Sequence, residues 1–441
     1  MQKYLFFIVL NLFLPRHIYC QVWDSLGTFT YGESKHFKEF DNKLYVGGID
    51  TSQGVSTFNM ATWDGNVWES VGGGIDGQVF GTARLNGKIF VGGLFNYAGG
   101  AYPWPAPHIY HLTSWDGIQY NNLNFPNGNY VHSLCVFNNE LYIGTTIVTI
   151  NNQDYYGILK YNDTTWSDVG GGVNGFPRYV NVMEEYNGEL IVGGDFSTAG
   201  PTLQVNNIAR WNGSNWNSLG NGLDNGARAF EVDTLNNLLY AGGSFNYADS
   251  ILVNHVAKWD GSSWQNLGIG VPIIVLSICI YKNELYVGGS NFSGLYPSSL
   301  YKWNGSSWLP IIPSPSTIEC LNVFQGSLYV AGGFTEIGGI RYSGLAKYTD
   351  TTLVSEEIIS AENVFNIYPN PTNGNITLSL PQQLNGNAEI MIYNSAGELV
   401  YRNSFRNWKE IVIANKTFKQ GTFVCQIKIN NILYSKKFIV N

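Results

Sequence analysis

Charge is scarce in this chain: Asp, Glu, Lys and Arg make up 13% of its 441 residues, against 44% hydrophobic. A chain this apolar buries too much surface to stay disordered, which excludes an unstructured tail or linker protein. Cysteine is rare too. Cys135, Cys279, Cys320 and Cys425 show no paired spacing, which excludes a disulfide framework that a large core does not need. Cys135 and Cys279 each stand six residues before a repeated Leu-Tyr pair and read as small buried strand residues. A basic surplus is missing from most of the chain. Residues 21–364 hold 14 Lys+Arg against 29 Asp+Glu, a net of −15, and that field argues against nucleic acid or anionic membrane as direct partners. Long apolar runs are missing as well. Past the N-terminus the longest spans residues 271–281, too short to cross a bilayer, so the mature chain is expected to hold no transmembrane segment.

What is present is glycine and aromatics: 51 Gly, 28 Tyr and 13 Trp, a mix that suits many short strands and tight turns. The chain begins with Lys3 and an apolar run at residues 4–14, and residues 1–20 read as a signal peptide cut after Cys20. An apolar strand ending in a glycine pair then recurs at Leu44, Ile89, Leu141, Leu190, Leu239, Leu285 and Leu328, at intervals of 45, 52, 49, 49, 46 and 43 residues. After each come a variable loop, a strand ending in an aromatic, a tight turn and usually a second aromatic, as in Trp259-Asp260-Gly261-Ser262-Ser263-Trp264. Asp-Gly and Asn-Gly favour the left-handed backbone of a hairpin turn. One unit therefore supplies four strands, expected in the second unit at 79–85, 88–93, 112–115 and 120–123. Seven such units predict an all-β chain with a seven-bladed β-propeller over residues 21–352. Trp23-Asp24-Ser25-Leu26-Gly27 copies the fourth strand at Trp68 yet precedes the first unit. The ring is expected to close there, with the first residues completing the last blade.

The order of glycine-pair strand, aromatic strand, tight turn and outer tryptophan resembles the kelch-type repeats of galactose-oxidase-like propellers, over about residues 22–352. Trp-Asp repeat propellers match less well, because here Trp-(Asp/Asn)-Gly opens a hairpin. The resemblance implies a fold and leaves function open, since such propellers host binding proteins and enzymes alike.

Residues 353–364 are polar and acidic and read as a linker. From Phe365 the balance turns basic, eight Lys+Arg against three acids. Alternating runs at 375–380, 389–394, 410–414, 423–429 and 436–440 predict a small C-terminal β-sandwich over 365–441. This segment resembles the C-terminal sorting domain of the type IX secretion system of Bacteroidetes. Tyr368, Pro369, Asn370, Pro371 and Gly374, then Gly397, Gly421 and the closing Lys436 and Lys437 stand in the family's order. The resemblance implies export through the inner membrane and recognition by the secretion machinery at the outer membrane. Removal of the domain then leaves a protein that is secreted or attached to the cell surface.

Catalytic sets are thin. His108 and His111 have metal-like spacing but no third ligand, and nothing matches a copper site built on a Tyr-Cys cross-link, so no metal or cofactor is expected. Arg84, Arg178, Arg210, Arg228 and Arg341 are too scattered for a sialidase-type cluster, and Arg210 reads as a solvated strand residue. The turn residues Asp64, Asp116 and Asp260 alternate with Asn212 and Asn304, which points to turn geometry rather than calcium or acid–base work. Binding positions are expected on the loops joining second to third strands and on those between blades, which share one face. Tyr97, Tyr102, Trp104, Tyr110, Tyr155 and Tyr156 lie on the former, and Tyr130, Arg178 and Tyr179 at blade starts. Trp104, between Pro103 and Pro105, is the foremost of them. The expectation is a non-catalytic binding or adhesion module for a glycan or protein ligand. A polysaccharide-active enzyme working at the channel mouth and a structural surface-layer component are the alternatives.

Overall fold

The glycine-pair strands are apolar on both sides because both sides are covered: Leu44, Val46, Phe90, Val91, Leu190 and Val192 are fully buried. The computed structural model describes residues 21–350 and 365–441, apart from 27–28, 31–35, 50, 53, 101–107, 128, 291–297, 312–315, 338–339, 343, 373, 381–386, 395–398, 415–417, 419 and 430–431. The expected signal peptide and linker lie outside the described residues. Gln21–Asp350 forms one compact unit, and the C-terminal residues belong to a second.

Among its described residues the first unit contains seven four-stranded antiparallel sheets in succession. In the second repeat the strands are Gln78–Leu85, Lys88–Leu94, Leu112–Trp115 and Tyr120–Asn122, each end within a residue of its expected position. The seven first strands are His36–Phe40, Gln78–Leu85, Ser133–Phe137, Tyr179–Tyr186, Ala227–Asp233, Ile274–Tyr281 and Ile318–Phe324. Each touches the next, and the last touches the first. The sheets therefore close into a ring around a central channel, which is a β-propeller. Closure comes from the N-terminal strand. Gln21–Ser25 pairs with Leu345–Asp350 and places Trp23 opposite Tyr348, with ring centroids 4.7 Å apart. The Tyr342 hydroxyl donates to the Trp23 carbonyl at 3.1 Å.

Aromatics bind blade to blade. Within a blade the two rings flanking the last turn lie close, from 4.5 Å for Tyr161–Trp166 to 5.3 Å for Trp259–Trp264. The outer indole then donates to a carbonyl at the end of the preceding blade: Trp68 to Leu26, Trp216 to Val169, Trp264 to Leu219 and Trp308 to Leu267, at 2.8–3.2 Å. A buried N–H is satisfied and the seam is sealed. The glycines after the Val169, Leu219 and Leu267 carbonyls make room for the next blade. A Cβ on Gly170, whose φ is +57°, would sit 2.5 Å from the Trp211 ring. Gly170→Ala should therefore destabilise the propeller by more than ~1 kcal/mol. That would appear as a lower urea midpoint with unchanged slope, and an unchanged midpoint would mean the seam has slack.

The last turns explain the Asp/Asn alternation. In each, Oδ1 of Asp64, Asp116, Asn212, Asp260 or Asn304 accepts the backbone N–H groups two and three residues on, at 2.7–2.9 Å. Only an acceptor oxygen is needed, so amide and carboxylate serve equally. Arg210 is not merely solvated: its Nη1 pairs with Glu189 Oε2 on the neighbouring strand at 2.9 Å. Glu140–Lys160 and Glu284–Lys302 repeat that cross-strand pair.

In the second unit, Asn366–Tyr368, Ile376–Ser379 and Glu410–Ile413 make a three-stranded sheet. Leu399–Arg406, Asn387–Asn394, Gly421–Ile429 and Ile432–Val440 make a four-stranded one. One core, including Phe365, Ile390, Trp408, Phe423 and Phe438, joins the two sheets. The sequence did not announce Asn366–Tyr368 or Leu399–Arg406. The first is three residues long, and the second carries Arg402, Asn403 and Ser404 in a row that hides alternation. The opening and closing motifs hold each other. Asn370 accepts the Ile439 N–H at 2.9 Å and donates to the Lys437 carbonyl, and Thr372 bridges Val440 in parallel. Lys436 Nζ donates to the Phe365 carbonyl and to Asn366 Oδ1. Lys437 is exposed. Gly397 lies outside the described residues.

Candidate functional site

Loops between blades pack on the second-to-third-strand segment of the following blade. Asp76 accepts the N–H groups of Asn96 and Tyr97, and Asp224 those of Asn246 and Tyr247, at 2.7–2.9 Å. Both loop sets therefore share one face. Several are more regular than expected, since residues 196–206 and 247–252 carry short hairpins. Residues 146–156 merely prolong the strands Glu140–Ile150 and Gln153–Tyr161. That prolongation changes one candidate: Tyr155, 6% exposed, belongs to a buried cluster with Val148 and Ile150 and packs rather than projects. Tyr156 is half-buried beside it. Tyr102 and Trp104 lie outside the described residues.

Four of the remaining candidates fall on one continuous aromatic run. Tyr97 meets His108 (4.4 Å), His108 stacks on Tyr110 (5.3 Å), Tyr110 meets His111 (6.0 Å) and His111 meets Tyr130 (5.6 Å). Tyr130 meets His132 (6.5 Å), and His132 meets Tyr179 (5.3 Å). Buried His111 is the hinge of this run; among the described residues no three His, Cys, Asp or Glu side chains gather as a metal site. Beside Tyr179, Arg178 Nε donates to the Gly175 carbonyl, and Phe176 projects with 95% exposure.

The run ends at the channel mouth, where residues come forward that sequence reasoning missed. In five blades the first strand carries a β-bulge, opposite the glycine pair in four of them and opposite Ala331–Gly332 in the last, and the residues skipped by the pairing are Phe80, Asn181, Arg228, Leu276 and Glu319. His132 holds the same place in blade 3, its N–H on the Gly144 carbonyl. All six line the channel, since a bulge re-aims the side chain it frees. A signal existed: Phe80, His132, Asn181, Leu276 and Glu319 each stand nine residues before the start of their glycine-pair strand. Phe80 and His132 run parallel to within 6°. Asn181 donates to Asp195 Oδ2 at 2.8 Å and also reaches the Ala227 carbonyl. Burial, then the Arg228 charge, lowers the His132 pKa and keeps the ring neutral.

The channel encloses about 470 Å³. Its wall is tied from blade to blade. His36 Nε2 accepts the Thr82 N–H at 3.0 Å, and Glu231 Oε1 accepts that of Ile280 at 3.1 Å. Burial, with a smaller push from Lys38, lowers the His36 pKa to about 3, and burial raises that of Glu231 to about 7. The two have opposite consequences. His36 binds a proton more readily unfolded, so its contribution is present above pH ~6.5 and is lost as pH falls towards 3. Glu231 is favourable below its unfolded value near 4.5, and that contribution is lost as pH rises through 7. Glu231→Gln should therefore stabilise the protein at pH 8 by ~1–3 kcal/mol and change little at pH 4; equal shifts in denaturation midpoint at both pH values would contradict this. Cys135 and Cys320 also line the wall, and Cys279 is buried behind it. Burial raises their pKa values, to about 12 for Cys135 and Cys320, leaving inert thiols.

The geometry defines a β-propeller with an aromatic, channel-centred loop face. Residues 366–441 match the family described as secretion system C-terminal sorting domain, so the chain carries a type IX sorting domain, which directs export to the cell surface or the extracellular space. No curated protein matches the chain. Among solved structures, an ancestral GH74 enzyme is 11% identical with a TM-score of 0.42, over 94% of this chain and 63% of its own length. The Neurospora crassa Pan2 WD40 domain is 9% identical with a TM-score of 0.39, over 75% and 95%. BamB from Moraxella catarrhalis is 8% identical with a TM-score of 0.29, over 74% and 92%. Likeness at this level carries no argument about activity.

Proposed function

We propose that the protein is an exported binding module whose propeller takes a glycan on its loop face. The observation that carries this reading is the unbroken aromatic run from Tyr97 to Tyr179, leading to the channel mouth. Flat rings on a rigid scaffold stack on sugar faces at little entropic cost. Exposed Phe176, Tyr247, Leu252 and Ile269 on the same face support it. The proposal takes residues 1–20 as signal peptide, 21–352 as a kelch-type seven-bladed propeller, 353–364 as linker and 365–441 as the removable sorting domain of a Bacteroidetes protein. Its support is the repeat order and the complete set of sorting-domain blocks. Tyr130→Ala and Tyr179→Ala should each weaken glycan binding by about 10-fold with unchanged thermal melts. Affinity electrophoresis against neutral polysaccharides and a glycan array test this. A blank result on both, with capture of a protein partner instead, would replace the glycan by a protein ligand.

One observation favours a second reading, a polysaccharide-active enzyme. Glu231, whose pKa burial raises to about 7, and Glu184 both line the channel, and a pair of carboxyl groups is what glycoside hydrolysis uses. Turnover of any polymer that Glu231→Gln abolishes while binding survives would establish it.

A further inference from the structure

Among the described residues the continuous aromatic run is one-sided, with Tyr247 the one exposed ring on the loops of blades 5 to 7. Tyr97, Tyr110, Tyr130, Tyr179 and the mouth pair Phe80–His132 belong to blades 2 to 4 or to the loops leading into them. Across the mouth, in blades 5 to 7, the bulge positions hold Arg228, Leu276 and Glu319, none of them a ring. A chain that lay across the mouth with internal sugars would need stacking surfaces on both sides. Here the track stops at a polar rim, where Asn181 and Asp195 are bonded to each other and Arg228 stands exposed, with no ion pair among the described residues. The rim offers one guanidinium against the carboxylates of Asp195 and Glu319, on a propeller of net negative charge, so it gives an anionic sugar no positive field. It does offer hydroxyl groups both donors and acceptors, the Arg228 guanidinium, the Asn181 amide and the Asp195 carboxylate. The channel behind it, at about 470 Å³, falls in the size range of small-ligand sites of ~300–1,000 Å³ and suits the end of a chain rather than its length.

We infer that the channel mouth reads the terminus of a neutral polysaccharide, with the track of blades 2 to 4 holding the sugars that follow and Arg228, Asn181 and Asp195 bonding the terminal hydroxyls. This rests on the glycan reading above. The full chain is first run in native gels containing neutral β-glucan, xylan, galactomannan or polygalacturonate. The neutral polymer that retards it is then nicked with an endo-hydrolase, multiplying chain ends at constant mass, and intact and nicked polymer are compared as competitors. Potency per gram should rise in proportion to the number of ends, and chemical blocking of one of the two kinds of end should abolish that rise. Arg228→Gln, at an exposed residue whose loss leaves no partner behind, should lower affinity for the nicked polymer by about tenfold while the thermal melt stays the same. Retardation with potency indifferent to ends would overturn the terminus and leave the glycan reading standing. Retardation by polygalacturonate alone would overturn the neutral class. No retardation by any polymer would remove the glycan reading itself.

Discussion

Trp264→Ala should cost the propeller ~3–5 kcal/mol, while Asp260→Asn in the same turn, which keeps the backbone bonds to Oδ1, should cost far less. Trp264 is 1% exposed, packs on Trp259 at 5.3 Å, and donates its indole N–H to the Leu219 carbonyl of the preceding blade at 3.2 Å. Truncation removes a large buried ring, leaves a cavity at the seam and orphans that carbonyl. The Asp260 carboxyl lies well below the usual carboxylate range because the Ser262 hydroxyl and the N–H groups of Ser263 and Ser262 donate to it. Asn212 and Asn304 fill the same place with the same backbone bonds, so the amide suffices. Urea denaturation of the two variants decides the matter; a Trp264→Ala loss no larger than that of a surface substitution would mean the seams contribute little.

Deleting residues 21–26 should do more than weaken the fold. The ladder with Leu345–Asp350 would be lost, the Trp23–Tyr348 pair broken, and Trp68 deprived of its acceptor on Leu26. The exposed edge would then invite another chain to pair with it. We expect aggregation or a domain-swapped assembly by light scattering, where the whole chain is tested for a single discrete species. A deletion variant that stays monomeric and melts within about 4 °C of the parent would show that the ring needs no N-terminal donor.

Much of this was legible in one dimension because the period is one-dimensional. Glycine pairs at intervals of 43 to 52 residues mark blades without reference to contacts, and the stray fourth-strand copy at Trp23 named the closing strand. Tyr97, Tyr110, Tyr130 and Tyr179 were legible as loop or blade-start aromatics. Tyr155 was misjudged because its segment continues two strands, and strand residues alternate in and out; position 155 faces the buried cluster. The bulge residues escaped because a bulge depends on pairing between strands, and Phe80, Asn181 and Arg228 share no chemistry that would draw attention to a common position.

By itself the sequence determined the repeat, the turn chemistry, the closure of the ring and the export address, since each depends on neighbours along the chain or on a motif read as a string. Only the tertiary structure decided which aromatics join into a track and which side chains a bulge turns into the channel. It also decided why the Glu231 pKa is raised to about 7. Those properties depend on distances between blades and on the exclusion of water, quantities that exist only once the seven sheets have closed on one another.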